Sequence, residues 1–280
     1  MLTNAYDMVE LLRSNIGEVS PANWTKANTL RMLNQAYTEL IRRFSMSAGQ
    51  WLVKSKSITC TDSVITFPDD CMKPVYLEDS DNSPVNWLNS VGQRRISRTF
   101  GTGTDINRSR EAYVLRNSIE INEDSLNETM TLWYQQKPYE LHAGTASAST
   151  AGTLTLEDSL AHSVRNDHYN KAELEVIGGS NPGVYDVTDY VGSTRVLTLT
   201  PAVDPGSNTY GIVPITPSEC NDYIVLRATV LAMSKPGANM DEKVFAMFTS
   251  DFKAVRNDLT AWIDTRVIEN QGMSIGEPYL

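Results

Sequence analysis

Apolar residues recur at steps of three and four in four stretches of this chain, and at steps of two in much of what lies between. The first stretch is short. Residues 5–16 put Met8, Val9, Leu11, Leu12 and Ile16 on one side and stop at Gly17. The second, residues 25–44, carries Leu30, Leu33, Tyr37, Leu40, Ile41 and Phe44 as a stripe, with Arg42 and Arg43 in the last turn, where they suit the helix dipole. The third, residues 217–234, opens at Thr216-Pro217-Ser218-Glu219, which has the order of a capping box, and ends at Pro236-Gly237. The fourth restarts near Asn239 and covers residues 240–270, with Phe245, Phe248, Phe252, Val255, Leu259 and Trp262 in the stripe. Without a breaker, that last helix is a rod of about 45 Å, longer than an ordinary domain helix. It needs a partner, and the helix over 25–44 is the expected one.

Between the helices the period changes to two. Residues 51–136 predict a small β region with a hairpin across Cys60-Thr61-Asp62-Ser63 and further strands near 74–77, 112–116, 118–121 and 129–136. The run 143–152 is all Ala, Gly, Ser and Thr, offers no core anchor, and reads as a linker or exposed turn. Five strand signals follow, near 153–156, 172–177, 183–189, 195–200 and 209–213, punctuated by Gly178-Gly179, Asn181-Pro182-Gly183 and Asp204-Pro205-Gly206. They suggest a small sandwich or barrel. The expected fold is therefore α+β. An antiparallel helical bundle from the N- and C-terminal helices carries a small β region, forming a discontinuous core of residues 1–140 plus 215–280. An all-β domain, sandwich-like or barrel-like, is inserted at 141–214.

At 280 residues the chain has room for one large domain or two moderate ones. A net charge of −10 argues against a general nucleic-acid binder, because phosphate binding needs a basic surface. The three cysteines, Cys60, Cys71 and Cys220, have no metal spacing and suit a reducing compartment. No run approaches the ~20 apolar residues that span a bilayer, so the expectation is a soluble, non-secreted protein.

Candidate chemistry is sparse. His142, His162 and His168 lack the i, i+4 spacing of a zinc helix and read as surface residues. Gly101-Thr-Gly103 lacks the lysine of a phosphate loop. The acidic turn at 79–82 has Pro84 where a calcium loop needs Gly and Ser90 where it needs Glu. No catalytic constellation, metal site or cofactor site is expected, and an enzyme is not. One region is basic: residues 94–116 hold Arg94, Arg95, Arg98, Arg108, Arg110 and Arg116 against Asp105 and Glu111. In an acidic chain this reads as a loop that pairs with an acidic neighbour, such as another copy of the subunit, in preference to a nucleic-acid patch.

The order of the pieces carries a resemblance. The segment Trp24-Thr-Lys-Ala-Asn-Thr-Leu-Arg-Met-Leu-Asn-Gln-Ala-Tyr-Thr-Glu-Leu runs into Arg42-Arg43-Phe44. Trp51, the Phe67-Pro68-Asp69-Asp70 turn and Trp133-Tyr134-Gln135-Gln136-Lys137-Pro138 follow. Cys220-Asn-Asp-Tyr-Ile-Val-Leu-Arg-Ala then leads to the long helix. Over residues 1–140 and 215–280 this resembles the head-to-tail adaptors (connector or tail tubular proteins) of short-tailed bacteriophages. Separately, Gly183-Val-Tyr-Asp-Val-Thr-Asp-Tyr-Val-Gly-Ser-Thr-Arg-Val-Leu-Thr-Leu, with Pro205-Gly-Ser-Asn-Thr-Tyr-Gly-Ile, is similar to a β module of phage structural proteins. These motifs are packing patterns without reactive groups.

The resemblance implies a virion protein of the neck, assembled in the host cytoplasm. It would form a ring of about twelve copies beneath the portal, connecting capsid to tail and lining the channel of DNA ejection. Portal, tail nozzle or fibre proteins and the passing genome are then its partners, the genome without specific binding. The segment 273–280, with Met273, Ile275, Pro278, Tyr279 and Leu280, is expected to contact the portal. Arg94, Arg95, Arg98, Arg108 and Arg110 are expected at the contact between subunits. The alternative is a tail or fibre component whose β domain binds a receptor or carbohydrate through Trp51, Trp87, Trp133, Tyr169, Tyr185 and Tyr190.

Overall fold

The computed structural model describes residues 3–17, 24–46, 52–88, 110–123, 125–160, 162–206, 208–235 and 241–271. These divide into two compact units, residues 1–49 with 138–280, and residues 50–137. The strands of 143–214 therefore belong with the helices, and the chain leaves that unit at 49 to return at 138.

Four α-helices are described: α1 (Ala5–Asn15), α2 (Lys26–Met46), α3 (Asn221–Met233) and α4 (Glu242–Gln271). They do not make the antiparallel bundle that the periodicity predicts. Described strands number fourteen in three sheets, and the protein is mostly β. The helices instead form a layer around α3, against which α1, α2 and α4 all pack, while α1 also packs on the sheet. The rod α4 finds its partner in α3, not in α2. Its apolar stripe is real, with Phe252, Leu259 and Ile263 buried, but its other positions are largely exposed. The stripe of α2 is buried as expected, from Leu30 to Phe44. Leu11 of α1, read as core, stands 38% exposed. No capping box forms before α3. Ser218–Cys220 is a 3-10 turn with no side-chain cap, and the Thr216 hydroxyl is buried without a partner. At α4 the cap is Asp241, whose Oδ1 accepts from Lys243 N at 2.8 Å. Pro236, Gly237 and Asn239 lie outside the described residues.

In this unit β8 (Ala143–Thr145), β9 (Ala148–Thr150), β10 (Thr153–Thr155), β11 (Glu173–Ile177), β12 (Gly183–Val191), β13 (Val196–Thr200) and β14 (Thr209–Ile212) form one antiparallel half-barrel. Their order is β8-β14-β11-β12-β13-β10-β9. Its core gathers Leu154, Tyr169, Leu174, Tyr190, Leu197 and Tyr210. The expected linker at 143–152 supplies two of its strands, and Ala143 and Ala146 are buried. Small residues are needed there because a Cβ on Gly144 would lie 2.3 Å from Glu157 Oε2.

The 50–137 unit contains β1 (Val53–Cys60), β2 (Val64–Thr66), β3 (Cys71–Glu78), β4 (Asn86–Trp87), β5 (Glu111–Leu115), β6 (Ser118–Ile121) and β7 (Glu128–Gln136). One sheet is ordered β1-β7-β3 and the other β2-β6-β5-β4. Ile65, Leu77, Ala112, Ile119, Leu132 and Tyr134 fill the core. The expected hairpin is only a turn. Asp62 and Ser63 both have positive φ, and Thr61 and Val64 exchange their backbone bonds. Beyond that pair β1 joins β7 and β2 joins β6.

Candidate functional site

The residues on which sequence reasoning placed function divide sharply. Met273, Ile275, Pro278, Tyr279 and Leu280 lie outside the described residues, as do Arg94, Arg95, Arg98, Arg108 and Trp51. Arg110 is described, at the start of β5, and its guanidinium is taken up inside its own unit. Nε lies 3.2 Å from Glu123 Oε2, Nη1 lies 3.5 Å from Asp79 Oδ2, and Nη1 also meets Glu128 Oε1. One cation thus ties the 78–82 turn to the 122–128 connection. With the side chain 28% exposed, solvent screens part of that attraction.

The aromatic residues named for carbohydrate binding separate as well. Tyr169, Tyr185 and Tyr190 are buried, with the Tyr169 and Tyr190 rings edge to face at 4.8 Å. A sugar cannot stack on them. Trp133 is 38% exposed, on the outward side of β7, and Trp87 is half-buried.

The histidines correct the surface reading. His142 is 2% exposed, and its Nδ1 lies 2.9 Å from the Tyr210 hydroxyl on β14. That hydroxyl accepts from Glu157 N at 3.0 Å. His142 Nε2 has no hydrogen-bond partner. Burial pushes the His142 pKa down to about 4, against the opposing pull of Glu157. Burial alone would raise the Glu157 carboxyl. Bonds from Ser159 Oγ at 2.7 Å, Thr145 N at 2.8 Å and Lys26 Nζ at 2.9 Å outweigh it and hold the group below the ordinary carboxylate range. The Lys26–Glu157 pair ties the first turn of α2 to the sheet. His162 and His168 are half-buried.

The cysteine thiols are buried, and burial raises each, Cys71 to about 11 and Cys220 to about 12. None is poised as a nucleophile. Among the described residues no group of His, Cys, Asp and Glu could hold a metal ion.

What the helical unit does build is a set of clasps that sequence reasoning missed. Asn34 of α2 holds both backbone groups of Leu141, accepting from its N at 2.7 Å and donating to its O at 2.9 Å. One turn on, the Tyr37 hydroxyl accepts from Ile215 N at 3.1 Å. Thus α2 grips the chain where it enters the half-barrel and where it leaves. Arg227 of α3 makes a two-pronged bond to Glu39 of α2, at 2.7 and 3.1 Å, and lies 5.4 Å over the Phe252 ring of α4. Beside these clasps runs a groove of about 430 Å³, lined by Arg31, Gln35, Glu39, Arg42 and Glu140. Tyr37, Pro138 and Tyr139 also line it, so charges of both signs stand beside apolar surface. The arrangement can position and join surfaces, and among the described residues it offers no acid–base pair or activated nucleophile. Only the arginine-rich stretch was a usable sequence signal, because the clasps depend on partners more than 100 residues apart.

No helix among the described residues is long and apolar enough to cross a membrane. No protein-family model and no curated protein matches the chain.

Proposed function

We propose that the protein is a structural, non-enzymatic component of a phage virion, a head-to-tail adaptor that assembles as a ring of about twelve copies. The ring sits beneath the portal, joins capsid to tail and surrounds the path of the DNA. The observation that supports this most is the mismatch between α4 and its support. A helix of 30 residues rests on one of 13, so less than half of a ~45 Å rod can be covered by its partner. The remainder, and the segment 272–280 beyond it, are where a neighbouring protein meets the subunit. The order of sequence motifs and the net charge of −10 fit the same reading, since a channel wall that attracted phosphates would slow the genome.

Portal contact is carried by Met273, Ile275, Pro278, Tyr279 and Leu280. The subunit contact is carried by Arg94, Arg95, Arg98 and Arg108, whereas Arg110 is held by three carboxylates of its own unit. Removing residues 273–280 should abolish co-sedimentation with the portal while the circular dichroism of the subunit stays unchanged. Undiminished co-sedimentation would refute the assignment of that segment.

A further inference from the structure

The open side of β1 is a place where another chain can add a strand. In the three-stranded sheet β7 is central, so β1 and β3 are its edges. The β3 edge is spoiled by Pro74 and by register shifts at Cys71/Lys73 and Pro74/Tyr76. By contrast, β1 pairs with β7 over eight residues without a shift or a proline. Gln136 N donates to Leu52 O, which sets the phase of the ladder. The even-numbered residues face β7, and Val53, Ser55, Ser57 and Thr59 turn their N–H and C=O groups outward. Thr61, next in that series, uses its outward groups on Val64. After that one pair β2 departs to join β6, and the outward groups of residues 53–59 have no backbone partner among the described residues. Ser55, Ser57 and Thr59 are exposed. The cleft between the diverging edges measures about 440 Å³, with Ile58, Val64 and Pro68 on its apolar side and Lys56 as its only charge.

Edge lysines discourage indiscriminate pairing. Lys54 is occupied, lying against Asp70 and 5.5 Å over the Tyr134 ring. Lys56 is exposed and without an ion-pair partner among the described residues. A second copy of β1 would set lysines against lysines, so self-pairing is disfavoured. We infer that β1 is an acceptor for an extended segment of another protein. That segment adds along residues 53–59 and presents acidic side chains to Lys56. Backbone bonds supply the attraction and the Lys56 charge selects the partner. The inference stands on the geometry of the 50–137 unit and holds whether or not the protein is an adaptor.

Hydrogen exchange of the full chain tests it, with a synthetic octapeptide of alternating threonine and glutamate as the probe. The expected result is slowed exchange at the Ser55, Ser57 and Thr59 amides, with saturable anisotropy of the labelled peptide. The alternating threonine–lysine peptide should give neither. Ser57→Pro removes an outward N–H while leaving the β7 ladder intact, and should weaken the acidic peptide by about tenfold or more. Lys56→Glu, a milder change, should reverse the preference between the two peptides. Absence of protection by the acidic peptide, equal binding of the lysine peptide, or unchanged preference in Lys56→Glu would overturn the proposal.

Discussion

At Gly211, on β14, the absence of a side chain decides how α1 meets the sheet. A Cβ there would stand 2.5 Å from Asn4 Oδ1 and 2.6 Å from Tyr6 N. Asn4 cannot yield, because its Oδ1 caps α1 at 2.8 and 3.0 Å and its Nδ2 reaches Glu175 on β11 at 2.7 Å. Gly211→Ala is therefore expected to destabilise by about 1–3 kcal/mol, read from the shift in urea midpoint at constant slope. His142 makes a second residue-scale prediction. Its folded pKa, about 4, lies below the ordinary 6.5. Between these values the unfolded chain takes up a proton that the folded one refuses, so stability falls as pH drops from 6.5 to 4 and is fully present above that window. The loss amounts to about 3 kcal/mol. His142→Gln, which can still meet the Tyr210 hydroxyl, should flatten the slope of unfolding free energy with pH there. An unchanged slope would show that another group carries it.

Among the elements, the helices were readable because their signal is local. The stripes of α2 and α4 follow from spacing alone, and the structure buries Leu33, Leu40, Phe252 and Leu259 accordingly. Which helix each stripe faces was not readable, because apolar periodicity names no partner. That is why the expected bundle gave way to a layer around α3 resting on a sheet. The strand block fails differently. Residues 143–152 lack the branched side chains that mark a strand, yet they pair because Gly144 leaves room for Glu157, a contact 13 residues away. The turn at Asp62-Ser63 was read, but two strands beside it belong to different sheets, which only distant β6 and β7 decide. Of the candidate site, the basic stretch was visible and the carboxylates around Arg110 were not. The helical layer predicts a clear asymmetry. Phe252→Ala removes the ring that meets Tyr223 at 5.3 Å and Arg227. It should cost about 3 kcal/mol and expose α4 to limited proteolysis before either β region is cut. Cleavage of the β regions first would contradict the placement of α4 on α3.

For the molecule as a whole, the proposed role is that of a part that joins others. The three thiols and His142 are buried, and among the described residues no group of His, Cys, Asp and Glu could hold a metal ion. The long α4 buries Phe252, Leu259 and Ile263, while many of its other described positions stay exposed. In the proposed role, α4, residues 272–280 and the basic stretch at 94–108 carry the contacts that close a ring on the portal. The most direct test is the native mass of the purified full chain, alone and mixed with the portal protein of the same virion. The account predicts a monomer that becomes a closed ring of about twelve copies on the portal. A stable trimer that ignores the portal would contradict it and point to a fibre component.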